Sequence, residues 1–178
     1  MRLFSANMIG ALLLILSFVG CSPPEEQPAP SSPPPEEEPV FIHDLDITTG
    51  QTIFVPAYSE VHYTVNNTMK LAVTLTIHNT DVTYPIILTS VRYYNSQGKM
   101  VREYLEKPQR LGPIATADFF VKSGEQAGGV GSNFIVEWVA EHPAYEPVVE
   151  TLMLSNSGTQ GLSFTSTGRV LKQIEISR

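Results

Sequence analysis

The chain has 178 residues, a formal net charge of −7 and a single cysteine. One cysteine excludes an internal disulfide framework, and an acidic chain without a basic stripe is not expected to bind nucleic acid. From residue 40 onward, 10 Lys and Arg stand against 13 Asp and Glu, and a segment of this size can bury about two thirds of its unfolded surface without disulfides or metals.

The first predicted element is an apolar run from Met8 to Val19, which follows the positive charge of Arg2 and ends just before Cys21. A membrane span needs about 20 apolar residues, so this shorter run favours a cleaved signal peptide. The segment resembles the bacterial lipobox, with Phe18 where leucine is usual. The resemblance implies a lipoprotein signal peptide over residues 1–20 and lipidation of Cys21, which would anchor an exported protein to a membrane of the bacterial cell envelope.

A proline-rich and glutamate-rich segment follows the cysteine. Residues 22–39 read SPPEEQPAPSSPPPEEEP and hold eight of the fourteen prolines. Low hydrophobicity and repelling charges predict a disordered linker over residues 21–39, with the acylated cysteine at its start. At about 3.1 Å per residue it would act as a spacer of roughly 50 Å.

Residues 40–178 show the period of two that is typical of β-strands. Apolar residues alternate with polar or small ones from Leu71 to Ile77 and again from Val61 to Val65. If residues 66–70 form a loop, an antiparallel hairpin places all these apolar side chains on one face, with Val61 opposite Leu75. The pattern therefore predicts a hairpin over residues 61–77.

Further strand-like runs are separated by glycine and proline turns, and the run from Leu162 to Ile176 is expected to break near Gly168. Both faces of the 133–140 run are largely apolar, which predicts a central strand in which Glu137 needs Arg92 or Arg102 as a partner. Many short strands without a helical period predict an all-β fold, an antiparallel two-sheet sandwich of about 7 to 9 strands that is immunoglobulin-like.

Several segments together carry a family resemblance. They are Gly50 to Ser59, Leu71 to Leu75, Ser90 to Tyr94, Val101 to Leu105 and Asn133 to Trp138. These segments resemble bacterial proteins grouped as domain of unknown function 3124, which are commonly lipoproteins. The resemblance implies no catalytic residues, because none are established for that group.

Motifs for catalysis, metals and cofactors are missing from the sequence. The four histidines, His43, His62, His78 and His142, lack metal-ligand spacing, and no Gly-x-Ser-x-Gly or Gly-Lys-Ser/Thr motif occurs. We therefore expect no catalytic residue, no metal and no cofactor.

The glycine-rich loop from Ser123 to Ser132 is the candidate partner-binding element. Gly128, Gly129 and Gly131 allow close backbone approach, and loops at the ends of a sandwich often carry function. The alternative is a flexible connector between sheets. If the loop binds a partner, valines at positions 129 and 131 are expected to abolish binding and leave the melting transition nearly unchanged.

Together these features predict a membrane-anchored envelope lipoprotein that is a non-enzymatic binding or structural module. Its expected partners are the membrane, through acyl chains on Cys21, and an envelope protein or ligand that the sequence does not identify. The alternative is a small-ligand receptor or an enzyme whose site is assembled from residues distant in sequence.

Overall fold

The computed structural model describes residues 42–125, 128–155 and 161–175. These ranges fall within a compact unit, Glu37–Arg178. The predicted signal peptide, Cys21 and the linker lie outside the described residues. Within the described ranges, no helix has the length and apolar character that crossing a membrane requires.

In the described part of the chain, twelve strands follow a short 3-10 turn at Ile42–Asp44. In chain order they are β1 (Thr49–Pro56), β2 (Glu60–Thr64), β3 (Asn67–Lys70), β4 (Ala72–His78), β5 (Ile86–Tyr94), β6 (Met100–Glu103), β7 (Gln109–Leu111), β8 (Thr116–Val121), β9 (Asn133–Ala140), β10 (Val148–Ser155), β11 (Leu162–Thr167) and β12 (Arg169–Glu175).

The strands form two main antiparallel sheets and one separate hairpin. The larger sheet has six strands in the order β12-β1-β9-β5-β6, with β7 also paired to β5. The smaller sheet has four strands in the order β11-β10-β4-β8, and β2 pairs with β3 alone. The all-β antiparallel sandwich is confirmed. The strand number exceeds the expected seven to nine because short segments also form strands, such as β3, which pairs with β2, and β7, which pairs with β5.

The core lies between the two sheets and follows the alternation of the strands. In the smaller sheet, Leu71 and the inward residues of β4 are fully buried, and their neighbours on the outer face are only partly covered. In the larger sheet, Phe134, Val136 and Trp138 of β9 face the same cluster. Each sheet therefore contributes one apolar face to the core, as the period of two predicts.

The predicted hairpin between residues 61 and 77 is wrong. Strand β2 pairs with β3 through a two-residue turn at Val65 and Asn66, and β4 pairs instead with β8 and β10. Val65 is 93% exposed. The segment 67–70, interpreted as a loop, is itself a strand. Of the alternating apolar residues in 61–65, only Val61 packs against the core, and Tyr63 is 63% exposed, so this alternation does not mark a buried face.

The expected break near Gly168 is confirmed. At Gly168 the chain leaves β11 in the smaller sheet and enters β12 in the larger one. The amide nitrogen of Gly168 donates to Val149 O at 2.8 Å, and a side chain there would meet Ile53 Cγ2 at 2.6 Å. A glycine is required here because the chain crosses directly over the edge of the core.

Strand β9 is central in the larger sheet, between β1 and β5, as predicted. On its outer face Glu137 forms an ion pair with Arg92 of β5, one of the two partners expected from the sequence. The other, Arg102, binds Glu125 at 2.9 Å. Because Glu137 is partly exposed as well as paired, its charge costs little at this central position.

The antiparallel strands define two ends of the sandwich. The proximal end is where the described chain begins, with Thr48 bonded to Ala140 O, and it carries the loops 79–85, 112–115 and 141–147. The distal end carries the β2–β3 hairpin, the 95–99 turn and the loop 122–132. The glycine-rich loop therefore lies at the end opposite to the start of the described chain.

Candidate functional site

The glycine-rich loop reaches back to two other segments of the distal end. Gly128 O accepts a hydrogen bond from Ser96 N at 3.0 Å, and Gly131 N donates to Ser96 Oγ at 2.8 Å. Gly129 N donates to Ser59 Oγ at 2.8 Å, and Ser59 Oγ donates to Gly129 O at 3.1 Å. Two serines thus fasten the 128–131 backbone to the rest of the domain.

Ser132 completes this anchoring on the β9 side. Its hydroxyl donates to Ala57 O, and its own carbonyl accepts from Ala57 N at 2.9 Å. Ser59 N donates to Ser132 Oγ at 3.3 Å. Ser59 and Ser132 are both buried. The loop is therefore held through its backbone by buried hydroxyl groups, which fix the position of the glycines.

Packing explains the glycines at 128 and 129. A Cβ added to Gly128 would lie 2.2 Å from Tyr93 Oη and 2.3 Å from Ser59 Oγ. Gly129 has a φ of +96°, and a Cβ there would lie 2.6 Å from Ser96 Oγ. At Gly131 the same test gives 3.5 Å to Ser96 Oγ, an ordinary contact.

These distances contradict one sequence-based expectation, that valines at 129 and 131 would leave the melting transition nearly unchanged. A β-branched residue at φ +96° is strained regardless of space, and the Ser96 contact adds a clash. Loss of binding in that double variant would therefore not separate a binding role from a structural one. The partner-binding role of Gly128, Gly129 and Gly131 itself stays a prediction.

A pocket of about 480 Å³ opens on one side of the loop. Its lining comprises Gly128, Gly129 and Val130 together with Glu60, Asn95, Ser96 and Gln97. The 95–98 turn is rigid, because Asn95 Oδ1 accepts from both Gln97 N and Lys99 N and Gly98 adopts a φ of +74°. This pocket, the glycine pocket, thus presents amide, hydroxyl and carboxylate groups on a fixed frame.

A second pocket of about 540 Å³ lies on the other side of the loop. It is lined by Arg102, Phe120, Lys122 and residues 123–125. The Arg102 guanidinium stands 5.3 Å from the centre of the Tyr104 ring and binds Glu125 at 2.9 Å. This pocket, the arginine pocket, combines two cationic side chains with an exposed aromatic ring.

The two pockets differ in their electrostatics. In the glycine pocket, a hydrogen bond from Lys70 is the main cause that lowers the pKa of Glu60, so this carboxylate stays ionised. Beside the arginine pocket, burial raises the pKa of Tyr104, whose hydroxyl donates to Phe120 O at 3.0 Å. In the glycine pocket the Glu60 carboxylate is paired with Lys70, and in the arginine pocket Arg102 is paired with Glu125, which leaves Lys122 as the further charge of its lining.

The structure does not bring the histidines together. His78 Nδ1 lies 2.9 Å from Thr116 Oγ1 on the outer face of the smaller sheet, and His142 stacks on Tyr84 at the proximal end. His62 lies in the β2–β3 hairpin. Among residues 42–125, 128–155 and 161–175, no three side chains of the metal-binding types converge. The lipidation site, Cys21, falls outside these ranges.

Sequence reasoning missed Ser59, Ser96 and Glu60, and in the arginine pocket it missed Phe120 and Lys122. The serines contact the loop across 70 and 35 positions of sequence, and a hydroxyl group carries no spacing signal. The proximity of the 95–98 turn to the glycine-rich loop follows only from the pairing of β5 with β9.

Comparison with known proteins gives a family and no activity. No curated protein matches the chain. A solved structure titled "Crystal Structure of Thermotoga maritima 1070" aligns with a TM-score of 0.44 and 13% sequence identity, covering 67% of this chain and 92% of that one. The profile of the family described as "Protein of unknown function (DUF3124)" matches residues 50–171. This range includes every strand from β2 to β11, and the chain belongs to that family.

Proposed function

We propose that this protein is a lipid-anchored, non-enzymatic binding module of the bacterial cell envelope. In this proposal acyl chains on Cys21 hold the exported protein to the membrane, and the linker 21–39 connects the anchor to the sandwich. The distal end, with the glycine-rich loop and its two flanking pockets, binds an envelope protein or ligand.

One observation carries the binding part of the proposal. The described chain starts at the proximal end, and the glycine-rich loop lies at the distal end, on the opposite side of the strands. A tether that joins at one end leaves the other end free to meet a partner. Rigid loops on a stable scaffold are also where proteins commonly place binding residues.

Metabolic labelling with a fatty acid tests the anchor. The protein should incorporate label, and Cys21→Ala should incorporate none, because the chain has no other cysteine. Cys21→Ser, a variant of nearly the same size that lacks only the thiol, should likewise incorporate no label. Equal labelling of the wild-type protein and Cys21→Ala would contradict lipidation at this residue.

Site-specific photocrosslinking tests the binding end. A photoreactive residue in place of Gln97 lies in the glycine pocket, and one in place of Lys122 lies in the arginine pocket. The control position is Thr165, an exposed residue in the middle of β11. Crosslinks at positions 97 or 122 and not at 165 are expected in native envelopes. Equal crosslinking at all three positions would contradict a distal binding site.

A small-ligand receptor is the second candidate, favoured by the volume of the two pockets. Both lie in the range of about 300–1,000 Å³ that is common for small-molecule sites. A purified protein whose melting temperature rises with a low-molecular-weight envelope extract, and not with the protein fraction, would favour this candidate. In that case Gln97→Ala should reduce the rise if the ligand occupies the glycine pocket.

A further inference from the structure

Large apolar side chains are exposed together at the proximal end. They are Val82 (73% exposed), Ile114 (61%), Tyr145 (71%) and Tyr84 (38%). They stand on three separate loops, 79–85, 112–115 and 141–147. We refer to these four residues as the apolar cap.

Asp81 joins the three loops of the apolar cap. Its carboxylate accepts hydrogen bonds from the amides of Thr83 at 2.8 Å, Tyr84 at 2.9 Å and Tyr145 at 3.1 Å. Its backbone carbonyl accepts from Ile114 N at 3.1 Å. Asp81 is itself buried. The cap residues are therefore held close together by one buried side chain and its backbone.

Asn79 holds the same loops together through its side-chain amide. Its side-chain amide donates to Tyr84 O at 2.9 Å, Leu111 O at 3.1 Å and Gly112 O at 2.9 Å. Its side-chain oxygen accepts from Asp81 N at 3.0 Å. Buried networks that satisfy every member are rigid, so the loops present their apolar side chains in a fixed arrangement.

Ile114 adds a sign of strain at this exposed position. It is the one non-glycine residue in the described part of the chain with a positive φ, +58°. A β-branched residue in the left-handed region is an energetic outlier, and glycine or asparagine would occupy the position without that strain. The chain thus keeps an apolar side chain in water where a small or polar one would fit the backbone better, which points to a use of that side chain.

The charged groups around the cap are engaged within the domain. Arg110 pairs with Glu141 at 3.3 Å, and Glu146 Oε1 accepts from Gln51 Nε2 at 2.7 Å. The Asp81 carboxylate is occupied by three backbone amides. Glu146 is exposed and its partner is a neutral amide, so it keeps its charge, and a contact at this surface would leave Glu146 in water and depend on burial of the four cap residues.

The position of the cap indicates what covers it. The described chain begins at Ile42, a few residues before Thr48 bonds to Ala140, and the third cap loop starts at Glu141. Residues 22–41 lie between this point and Cys21. A protein anchored through Cys21 thus has its apolar cap at the end that the tether joins. Tyrosines beside aliphatic residues on loop tips are suited to the interface between lipid and water.

We propose that the apolar cap docks on the lipid bilayer, placing Val82 and Ile114 at the boundary between headgroups and acyl chains. The inference rests on the proposed lipid anchor. The expected lipid is zwitterionic, because the domain from residue 40 onward carries a net charge of −3, from 10 basic and 13 acidic residues, and gains nothing from anionic headgroups.

A tether makes such a small contact effective. Roughly 50 Å is the full reach of the linker, which therefore keeps the domain within that distance of the membrane. When the linker lies along the surface and does not stand upright, the cap meets the lipid at an effective concentration on the order of millimolar. A weak surface contact is then populated without any further partner. Docking at the proximal end also directs the glycine and arginine pockets away from the membrane.

A polarity-sensitive fluorophore on a single thiol tests the docking in the acylated full-length protein. Acylation consumes the thiol of Cys21, so Val82→Cys provides the labelling site in the cap. Val65→Cys provides the control at the distal hairpin, where the side chain is also highly exposed. Both proteins are reconstituted in phosphatidylcholine vesicles, some of which contain a lipid-borne quencher. Flotation of the same vesicles reports whether the anchor holds.

Docking predicts a blue-shifted and quenched signal at position 82 and a water-like signal at position 65. Ile114→Asn should lower the ratio of docked to undocked protein about tenfold, the effect of removing one large apolar side chain from the interface. Asparagine tolerates the left-handed backbone, so the melting temperature should stay equal or rise. The matched control Leu171→Asn removes a side chain of similar exposure, 58%, from edge strand β12 and should leave the signal unchanged.

The remaining outcomes separate the two proposals. Protein that floats with a water-like signal at position 82 overturns the docking and leaves the anchor intact. If the protein proves not to be acylated, the docking is tested with the variant Cys21→Ala that carries the fluorophore at position 82. Phosphatidylcholine vesicles are then added at increasing concentration, and a fluorescence signal that does not shift overturns the docking. A shift that follows protein density and not lipid also overturns it, because a second copy of the chain would then cover the cap.

Discussion

Replacing Gly128 with alanine tests whether the glycine-rich loop is held by packing. The new Cβ would lie 2.2 Å from Tyr93 Oη, 2.3 Å from Ser59 Oγ and 2.9 Å from Ser59 Cβ. Both neighbours are buried, and the Tyr93 ring is packed 5.0 Å from the ring of Phe134, so neither can move aside freely. We expect Gly128→Ala to lower the melting temperature.

The size of the effect follows from the cost of overpacking. An added methyl group in a filled site costs about 1–3 kcal/mol, and the entropy that alanine removes from the unfolded chain returns about 0.4–1 kcal/mol. A net loss of about 1.3 kcal/mol would lower the melting temperature by roughly 4–6 °C in a domain of this size. The matched control is Gly112→Ala, where a Cβ meets nothing within 4 Å and φ is not positive. It should be neutral or slightly stabilising.

Removing the Tyr93 hydroxyl identifies the cause. This oxygen is buried and finds no hydrogen-bond partner among the described residues, so Tyr93→Phe alone should change stability little or raise it. In the double variant Gly128→Ala with Tyr93→Phe, removal of the hydroxyl should restore about 1 kcal/mol of the stability that Gly128→Ala loses. A thermal or denaturant double-mutant cycle measures this coupling. If Gly128→Ala melts like Gly112→Ala, or if the cycle shows no coupling, the packing explanation of Gly128 is refuted.

Three further outcomes are expected at the proximal end. Backbone hydrogen bonds from Tyr84 and Thr83 lower the pKa of Asp81 in the folded protein. The ionised carboxylate therefore stabilises the fold above the unfolded pKa near 3.9, and this stabilisation is lost as pH falls through the folded pKa. The difference in melting temperature between wild type and Asp81→Asn should accordingly shrink in acid. Gln51→Leu should cost about 1–3 kcal/mol in denaturant unfolding followed by tryptophan fluorescence, because it leaves the buried Trp138 Nε1 without its acceptor, and an unchanged midpoint would contradict this role. Ile114→Gly should raise stability by about 1 kcal/mol through relief of the left-handed strain, and a clear loss would mean that side-chain packing outweighs the strain.

The fold was predictable from the sequence where a strand's pattern depends only on its own two faces. The alternation from Leu71 to Ile77 and the doubly apolar run 133–140 identified an inward face and a central strand, because both reflect burial against the sheets. The break at Gly168 was recognisable for a similar reason, since glycine marks close backbone approach.

Strand partners and the assembled site were not predictable in the same way. The register that joined Val61 to Leu75 satisfied every apolar residue, yet alternation does not specify which strand is the neighbour, and the short β3 offered a closer partner to β2. The glycines at 128 and 129 were recognised as permissive. Their contacts with Ser59 and Ser96 could not be anticipated, because they depend on the sheet order that brings distant turns together at the distal end.

The position of β1 determines how the domain would respond to mechanical force. β1 is the first strand after the start of the described chain, runs from the proximal to the distal end, and is paired along its length with β9 on one side and β12 on the other. A pull between residue 42 and a partner held at the distal loops would act along the strand axis, perpendicular to the ladder hydrogen bonds. Those bonds would be sheared together and not opened one after another, so the sandwich should resist a force applied through its tether better than a force applied across its sheets.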